Sequence, residues 1–239
     1  MLLIPAIDLK AGKCVRLLQG KEEEETVYSE DPVQQALFFQ EAGANRLHLV
    51  DLDGAFQGHG KNEQTILEII STLKIPVQVG GGIRSPEDVN KKIQQGTASV
   101  IIGTMAVKHP KLFENSLNAH GGGAVILGID ARNRYLAVEG WKETTELKDI
   151  DFALHWKNKG VERVIFTDIA RDGMLSGPNL NALEDFASST GLKVTASGGV
   201  SSMEDLKKLN RLEAFGVDQV IIGKAFYDGW IDINEALSC

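Results

Sequence analysis

The chain has 239 residues, of which 43% are hydrophobic, and a formal net charge of −8 at pH 7. This length allows one large α/β domain or two smaller ones. The negative charge argues against nonspecific nucleic-acid binding, and no apolar run approaches the roughly 20 residues of a membrane helix. Cys14 and Cys239 are the two cysteines and form no CxxC motif, so we expect a cytoplasmic, reduced protein without a structural metal.

Short apolar runs rich in valine and isoleucine recur along the whole chain. Most of them lack polar alternation, which is typical of strands that are covered on both faces. Eight runs are therefore predicted to be strands, at residues 3–7, 47–50, 77–79, 100–102, 125–129, 164–166, 194–196 and 220–222.

Helix signals separate these predicted strands. Asp31 followed by Pro32 is typical of a helix start, and Gly43 ends that helix. Ser85 and Ser202 are each followed three residues later by an aspartate, which is the spacing of a capping box. Further helices are predicted to begin at Pro110, at Asp149 or Asp151, and after Asn179.

The chain repeats one pattern at an offset of about 120 residues. Residues 77–105, the first glycine unit, and residues 194–225, the second glycine unit, each contain an apolar run, a glycine pair, a capped helix, a second apolar run and a closing glycine. Eight strand–helix units in two similar halves predict an α/β fold, a single (β/α)8 TIM barrel over residues 1–239. Its half-barrels would be residues 1–121 and 122–239, and an open doubly wound sheet is the competitor.

The glycine spacing indicates one insertion in the second copy. Gly81 and Gly198 are 117 residues apart, whereas Gly103 and Gly223 are 120 apart. We therefore expect three additional residues near positions 211–214.

Each glycine unit is predicted to bind a phosphate. Glycine pairs let backbone N–H groups approach an anion, and the following helix adds the positive end of its dipole. One glycine pair alone is more typical of a turn, but two matching copies favour two phosphate sites, for one bisphosphate or for two ligands. The predicted phosphate-binding residues are Gly81, Gly82, Arg84, Ser85, Gly103 and Thr104 in the first unit and Gly198, Gly199, Gly223 and Lys224 in the second.

Aspartates follow several predicted strands, at the barrel end where active sites lie. Asp8 and Asp130 occupy matching positions in the two halves, so we expect them to face one another. Opposed carboxyls can serve as general base and general acid if their environments separate their pKa values. Helix capping or hydrogen bonding to loop amides is the alternative for each one. Other carboxyls at this edge are Asp51, Asp53, Asp168 and Asp172.

Several motifs resemble one enzyme family along essentially the whole chain. They are PAIDL at residues 5–9, GKCVRL at 12–17, HLVDLDGA at 48–55, QVGGGIR at 78–84, TDIARDG at 167–173 and ASGGV at 196–200. They are similar to the phosphoribosylformimino-5-aminoimidazole carboxamide ribotide isomerases of histidine biosynthesis. The resemblance implies a (β/α)8 aldose–ketose isomerase without metal or organic cofactor, which converts a bisphosphate aminoaldose to an aminoketose by an Amadori rearrangement.

The resemblance also implies roles for individual residues. Asp8 corresponds to the proton acceptor and Asp130 to the proton donor, while Asp172 is the rival donor. Thr167 is expected to assist by hydrogen bonding, and Gly173 to contact substrate.

Three further side chains have alternatives. Arg16 either binds a phosphate or carboxamide or lies on the surface. Trp141 either stacks on the imidazole or packs in a lid. His48 is either a packing residue or a substrate contact, and His59 is expected in a mobile loop.

Other functions compete with this interpretation. The isomerase could also act on phosphoribosylanthranilate, or the chain could be the cyclase subunit of imidazole glycerol phosphate synthase. A phosphometabolite-binding barrel without catalysis is a third alternative. The Asp172-Gly173 loop and the motif at residues 5–9 favour the isomerase. The expected partner is a small bisphosphate, with no nucleic acid and no membrane, and we expect a monomer.

Overall fold

The structure, a computed structural model, describes residues 1–57 and 61–237. The predictions for His59 and Cys239 concern residues outside these ranges. Within them, no helix combines the length and the apolar content that crossing a membrane requires.

Twelve strands of the described ranges belong to one sheet. Each of the eight predicted runs lies inside one of them, so those strand predictions are confirmed. The strands are β1 (Leu2–Lys10), β2 (Lys13–Leu18), β3 (Lys21–Ser29), β4 (Leu47–Asp51), β5 (Val77–Gly80), β6 (Ser99–Ile102), β7 (Val125–Arg132), β8 (Tyr135–Val138), β9 (Glu143–Lys148), β10 (Arg163–Asp168), β11 (Lys193–Ser197) and β12 (Val217–Ile222).

Eight strands form a closed parallel barrel. The hydrogen-bonded order runs β1, β4, β5, β6, β7, β10, β11 and β12, and β12 pairs with β1 again. Leu3 lies opposite Val220 at this last pairing. A closed circuit of eight parallel strands confirms the predicted TIM barrel and excludes the open sheet.

Two antiparallel hairpins extend the barrel at matching places in the two halves. β2 and β3 follow β1, and β8 and β9 follow β7. These strands were not predicted. Residues 23–27 are exposed in β3, and most of β9 is exposed as well, so neither strand has an apolar side to reveal it.

Eleven α-helices occur within the described ranges. The predicted starts at Pro32, Pro110 and Asp149 are confirmed, and Ser85 and Ser202 each form a complete capping box. The helices are α1 (Pro32–Glu41), α2 (Leu52–Gln57), α3 (Glu63–Thr72), α4 (Pro86–Gln94), α5 (Thr104–Lys108), α6 (Pro110–His120), α7 (Asp149–Lys157), α8 (Leu180–Thr190), α9 (Met203–Asn210), α10 (Lys224–Tyr227) and α11 (Ile233–Leu237).

The predicted insertion of the second copy is a short helix. A 3₁₀-helix spans Arg211–Phe215 between α9 and β12, and it ends at Gly216 in a left-handed conformation. In the first copy, α4 is followed by β6 after four residues and has no such helix. The additional residues therefore lie between a helix and the next strand, away from the strand ends that face the barrel mouth.

Apolar side chains fill both sides of the barrel wall. The largest fully buried ones, such as Trp156 and Phe186, lie in clusters formed by strands and helices. A smaller cluster of Ile4, Ala6, Ile126, Ile165 and Ile221 comes from barrel strands alone and fills the barrel interior. Burying a side chain of this size contributes about 1.5–3 kcal/mol, so these layers hold the wall that carries the strand ends.

An amide–carboxylate contact recurs in both halves. Asn62 Nδ2 donates to Asp51 Oδ1 at 2.7 Å and to Asp53 Oδ2 at 2.9 Å. In the second half, Asn179 Nδ2 donates to Asp168 Oδ2 at 2.7 Å. Because Asp51 and Asp168, like Asn62 and Asn179, are 117 residues apart, the repeat extends from sequence to tertiary contacts.

The contact of the first half also holds the β1–β2 turn. Asn62 Oδ1 accepts a hydrogen bond from the Gly12 N–H at 2.8 Å, and Asp53 Oδ2 accepts one from the Ala11 N–H at 2.7 Å. Asn62 is fully buried and Asp51 is 4% exposed. The amide thereby connects the end of β4 to the turn between β1 and β2.

We expect the substitution Asn62→Ala to lower the free energy of unfolding by about 3 kcal/mol, because two buried carboxyls lose their shared donor. Urea unfolding followed by circular dichroism measures the loss. Asn45→Ala, at an exposed site with one 3.4 Å contact to the Gly43 carbonyl, is the control and should change stability by less than about 0.5 kcal/mol. Equal stability of the two variants would contradict the importance of this contact.

Candidate active site

The carboxyl ends of the barrel strands surround a cavity of about 350 Å³. Ala6, Ile165 and Ile221 of the interior cluster form its apolar base. Every predicted site residue except Ser85 lines this cavity. Those residues are Asp8, Arg16, Gly81, Gly82, Arg84, Gly103, Thr104, Asp130, Trp141, Thr167, Asp172, Gly173, Gly198, Gly199, Gly223 and Lys224.

Asp8 and Arg16 form an ion pair within the β1–β2 hairpin. Arg16 Nη1 donates to Asp8 Oδ2 at 2.8 Å, and Arg16 Nη2 donates to the Ala6 carbonyl at 2.9 Å. The two side chains are 14% and 13% exposed, so the surface alternative for Arg16 is wrong. Burial raises the pKa of Asp8 above its ordinary value, and the Arg16 guanidinium partly offsets this by favouring the carboxylate.

Asp130 lies on β7 opposite Thr167 of β10. Trp141 Nε1 donates to Asp130 Oδ2 at 2.8 Å, and the Thr167 side chain also hydrogen-bonds this carboxyl. Burial raises the pKa of Asp130, while the two hydrogen bonds act in the opposite direction. Asp8 is therefore adjacent to a cation, whereas Asp130 is adjacent to neutral donors.

Trp141 lies in the turn between β8 and β9, and its ring contacts the other hairpin at the barrel mouth. It has a φ of +70°, which is unusual for a residue other than glycine. Its ring lies so close to Gly20 that a Cβ there would be 2.6 Å from Trp141 Cε3. In the described structure the indole thus packs on the β2–β3 turn and hydrogen-bonds a candidate catalytic carboxyl.

Asp172 follows β10 in the loop at the cavity and is half-buried. Burial raises the pKa of Asp172 to about 7; Arg16 opposes this, and the charges of Asp8 and Asp130 add to it. The charges of Asp8 and Asp130 therefore both disfavour ionisation of Asp172. A group of this kind can hold a shared proton near neutral pH, which allows one member to donate while another accepts.

The glycine pairs are required by the backbone geometry itself. Gly81 and Gly198 both have a φ of +92°. A Cβ at Gly81 would overlap the Asp51 carbonyl oxygen, and one at Gly198 would lie 3.1 Å from the Asp168 carbonyl oxygen. The sequence suggested that these glycines expose N–H groups to an anion. The structure gives two further reasons for glycine here: the backbone is left-handed, and it packs closely against the end of the neighbouring strand.

The first glycine unit is connected to the β8–β9 hairpin. Thr104 Oγ1 accepts a hydrogen bond from the Glu139 N–H at 3.0 Å. Lys108 Nζ pairs with Glu139 Oε1 at 2.6 Å and with Glu143 Oε2 at 2.7 Å. Lys108, the last residue of α5, and Glu139, in the turn after β8, line the cavity and were not predicted from the sequence. Neither belongs to a motif of the repeat, and Glu139 lies on an unpredicted hairpin.

Arg84 and Ser85 differ in their positions at the first glycine unit. Arg84 is exposed at the cavity, and its Nη2 lies 3.4 Å from the Ala55 carbonyl oxygen. Ser85 is outside the cavity lining, and its hydroxyl accepts a hydrogen bond from the Asp88 N–H at 3.1 Å. Ser85 therefore acts here as the N-cap of α4.

The second glycine unit contacts the ion pair and a tyrosine. A Cβ at Gly223 would overlap the Arg16 guanidinium, so glycine is needed there to leave room for that side chain. Lys224 Nζ donates to Asp228 Oδ2 at 2.6 Å and lies 3.4 Å from the Tyr28 hydroxyl. Two cationic groups that line the cavity, Arg16 and Lys224, thus lie at the closing end of this unit.

The remaining polar residues at the strand ends either line the cavity or lie outside it. His48 lines the cavity, its Nδ1 is 3.0 Å from Gln78 Nε2, and burial together with Arg16 lowers its pKa to about 3. Its ring is therefore neutral. Asp51, Asp53 and Asp168 are absent from the cavity lining and hydrogen-bond the asparagines described above, so the alternative of a structural carboxyl is confirmed for them.

Comparison with known proteins identifies similar chains that match over nearly their whole length. A family model described as histidine biosynthesis protein matches residues 2–232. The chain is 53% identical to a protein of Pelotomaculum thermopropionicum, covering 100% of this chain and 92% of the relative. It is 51% identical to one of Syntrophomonas wolfei, covering 99% and 97%. Both relatives are named 1-(5-phosphoribosyl)-5-((5-phosphoribosylamino)methylideneamino) imidazole-4-carboxamide isomerase.

The raised pKa of Asp172 predicts a cost to stability that grows with pH. The folded carboxyl holds its proton up to about pH 7, whereas the ordinary value is 3.8, so the folded state loses stability as pH rises through this interval. Asp172→Asn removes the ionisation and should raise the free energy of unfolding by about 2–4 kcal/mol at pH 8, with little gain at pH 4.

Urea unfolding at both pH values measures the effect of this substitution. Asp151→Asn, at an exposed position of α7, is the matched control and should be neutral at each pH. A gain that is the same at pH 4 and pH 8 would show that burial of the Asp172 charge is not its cause.

Proposed function

The chain belongs to the histidine biosynthesis protein family, and from this premise we propose that it isomerises phosphoribosylformimino-5-aminoimidazole carboxamide ribonucleotide. The reaction converts this aminoaldose to its aminoketose by an Amadori rearrangement. One observation carries the proposal: two matching glycine units border a single cavity that has three aspartates on its wall. A substrate with a phosphate at each end and a reacting sugar between them fits this arrangement.

The two glycine units are the proposed phosphate sites. Their left-handed glycines leave backbone without side chains at the cavity wall, and α4 and α9 follow with capped N-termini. Arg84 is a nearby cation for the first phosphate, and Lys224 for the second. The pairing of Lys224 with Asp228 keeps its ammonium at the wall of the second unit.

Asp8 is the proposed general base. The adjacent Arg16 guanidinium favours its carboxylate form, which is the form that can remove the C2 proton of the substrate. We do not assign the role of base to His48, because its ring is buried and hydrogen-bonded to Gln78.

Of the two candidate proton donors, Asp130 and Asp172, Asp172 has the environment that favours proton donation. With a pKa of about 7 it retains a proton over much of the neutral range, so it can protonate the ribose ring oxygen. The ring C1–O bond then breaks to give a protonated Schiff base, and loss of the C2 proton to Asp8 gives an enaminol. Protonation of C1 and loss of the proton of the 2-hydroxyl then convert the enaminol to the aminoketose. Asp130, the donor suggested by position, receives hydrogen bonds from Trp141 and Thr167, which favour its ionised form.

The alternatives are less well supported by the charges of the cavity. Phosphoribosylanthranilate would bring its own carboxylate next to Asp8, Asp130 and Asp172, and the Arg16 guanidinium is already paired with Asp8. The cyclase subunit is a less suitable interpretation because the relatives quoted are named as isomerases. A binding protein without catalysis has no need of buried carboxyls that destabilise it.

Three expectations stay predictions of the sequence. They are the cytoplasmic location, the monomeric state, and the independence of the reaction from metals and organic cofactors.

Asp8→Asn should lower kcat by about 10²–10⁴-fold and leave substrate binding nearly unchanged, because the amide cannot accept the C2 proton. Turnover of the purified aminoaldose, followed by its absorbance, and calorimetric binding of the same ligand measure the two effects. Asp31→Asn is the control, since asparagine also caps α1 and the site is exposed. A wild-type protein without turnover of this substrate would refute the proposed function.

Asp172→Asn and Asp130→Asn distinguish the two donors. If Asp172 donates the proton, kcat of the wild type falls as pH rises above about 7, and Asp172→Asn removes this fall together with most activity. Asp130→Asn should lower kcat but keep the fall at high pH. Retention of the high-pH fall in Asp172→Asn, and its loss in Asp130→Asn, would assign the proton to Asp130 instead.

A further inference from the structure

Hydrogen bonds hold one edge of the Arg16 guanidinium, and the group also lies over the aromatic ring of Tyr227. Its Nη1 and Nη2 atoms bond Asp8 and the Ala6 carbonyl, as described above. Its Cζ lies 5.6 Å from the centroid of the Tyr227 ring. Within the described part of the chain, Arg16 Nε is buried without a hydrogen-bond partner. Because no hydrogen bond fixes that atom, the group depends there on packing against the Tyr227 ring and against the backbone at Gly223.

We propose that Tyr227 is a positioning residue for the general base: its ring holds the Arg16 guanidinium in the orientation that pairs with Asp8. The catalytic part of this inference rests on the function proposed above. A cation near an aromatic face is stabilised by the ring quadrupole, and the effect grows when water is excluded. Displacement of the guanidinium would weaken its contact with Asp8, and the carboxylate would lose the charge that favours it.

The Tyr227 ring is itself held firmly by neighbouring aromatic rings. Its centroid is 4.8 Å from that of Tyr28 on β3 and 5.8 Å from that of Phe39 on α1, the latter at an interplanar angle of 76°. Tyr28 is fixed in turn by a 2.6 Å hydrogen bond from its hydroxyl to Asp228 Oδ1. The support for Arg16 thus combines α10, from the end of the chain, with β3 and α1 from its beginning.

The ring of Tyr227, and not its hydroxyl, carries the proposed role. The hydroxyl is buried and has no nitrogen or oxygen partner within hydrogen-bond distance among the described residues. Burial also raises its pKa, so the phenol stays neutral. Phenylalanine at this position would keep the ring face under Arg16, whereas an aliphatic residue would remove it.

Several titratable groups lie around the Arg16–Asp8 pair. Burial lowers the pKa of His48 to about 3 and raises that of Cys14 to about 12. Asp172 influences Arg16 and is influenced by Asp8 and Asp130. The titratable and charged groups that interact with the pair are therefore Asp172, His48, Cys14 and Tyr227.

Carboxyl ¹³C NMR of the free, full-length protein tests the inference without any substrate. The apparent pKa of Asp8, assigned with Asp8→Asn, is measured in the wild type, in Tyr227→Phe and in Tyr227→Leu. We expect no change in Tyr227→Phe and a rise of about half a pH unit in Tyr227→Leu, because the guanidinium loses its support. Should Tyr227→Leu not fold, Tyr227→Met fills more of the space and takes its place.

Phe113→Leu is the matched control for loss of a buried ring. Phe113 packs against Trp156, with ring centroids 4.5 Å apart, and neither of these two side chains lines the cavity. This variant should be destabilised without a change in the pKa of Asp8. An unchanged Asp8 pKa in Tyr227→Leu, or an equal rise in Tyr227→Phe and Tyr227→Leu, would overturn the positioning role of the ring.

Turnover provides the second readout. The low-pH fall of kcat/KM should move to higher pH in Tyr227→Leu, with a loss of about threefold on the acid side, and Tyr227→Phe should restore the wild-type profile. If the wild type itself does not turn over the aminoaldose, the proposed function fails while the NMR comparison still decides the role of Tyr227. If turnover is normal and the Asp8 pKa is insensitive to the ring, only the positioning role fails.

Discussion

Pairing of β12 with β1 closes the barrel, and the arrangement of the site depends on this closure. The pairing joins the last strand of the chain to the first, with Leu3 opposite Val220. It brings Gly223, at the end of β12, against Arg16 of the first hairpin, and it places Tyr227 below the same guanidinium. In an open sheet these residues would belong to opposite edges, so Gly223 and Tyr227 would not pack against the ion pair of Arg16 and Asp8.

The two halves share a framework and differ in what their hairpins supply. Both have a capped glycine unit and a strand-end aspartate bound to an asparagine. The first hairpin, however, contributes Arg16 to the cavity, and the loop of the second contributes Trp141. Asp8 therefore has a cation beside it and Asp130 has an indole N–H. This difference in neighbours separates two otherwise matching carboxyls, which a symmetric barrel could not do.

The cavity is a destabilising part of the fold. Burial disfavours the charged forms of Asp8, Asp130 and Asp172, and one guanidinium lies among them. Such strain is common at active sites, where the rest of the structure has to offset it. Here the apolar clusters on both sides of the barrel wall and the buried Asn62 contact supply that stability.

The sequence by itself determined the barrel, its eight strands, most helix starts and the residues around the cavity, because periodicity, caps and repeats are local signals. It did not reveal the two hairpins, whose outer strands β3 and β9 have no apolar side. Position at a strand end could not by itself separate Asp8 from Asp51, since both are aspartates with a matching aspartate in the second half. Tertiary structure decided this: Asp51 meets Asn62 from another element and is buried in the wall, whereas Asp8 meets Arg16 at the cavity. The physical reason is that the environment of a carboxyl, and hence its pKa, is set by side chains distant in the chain.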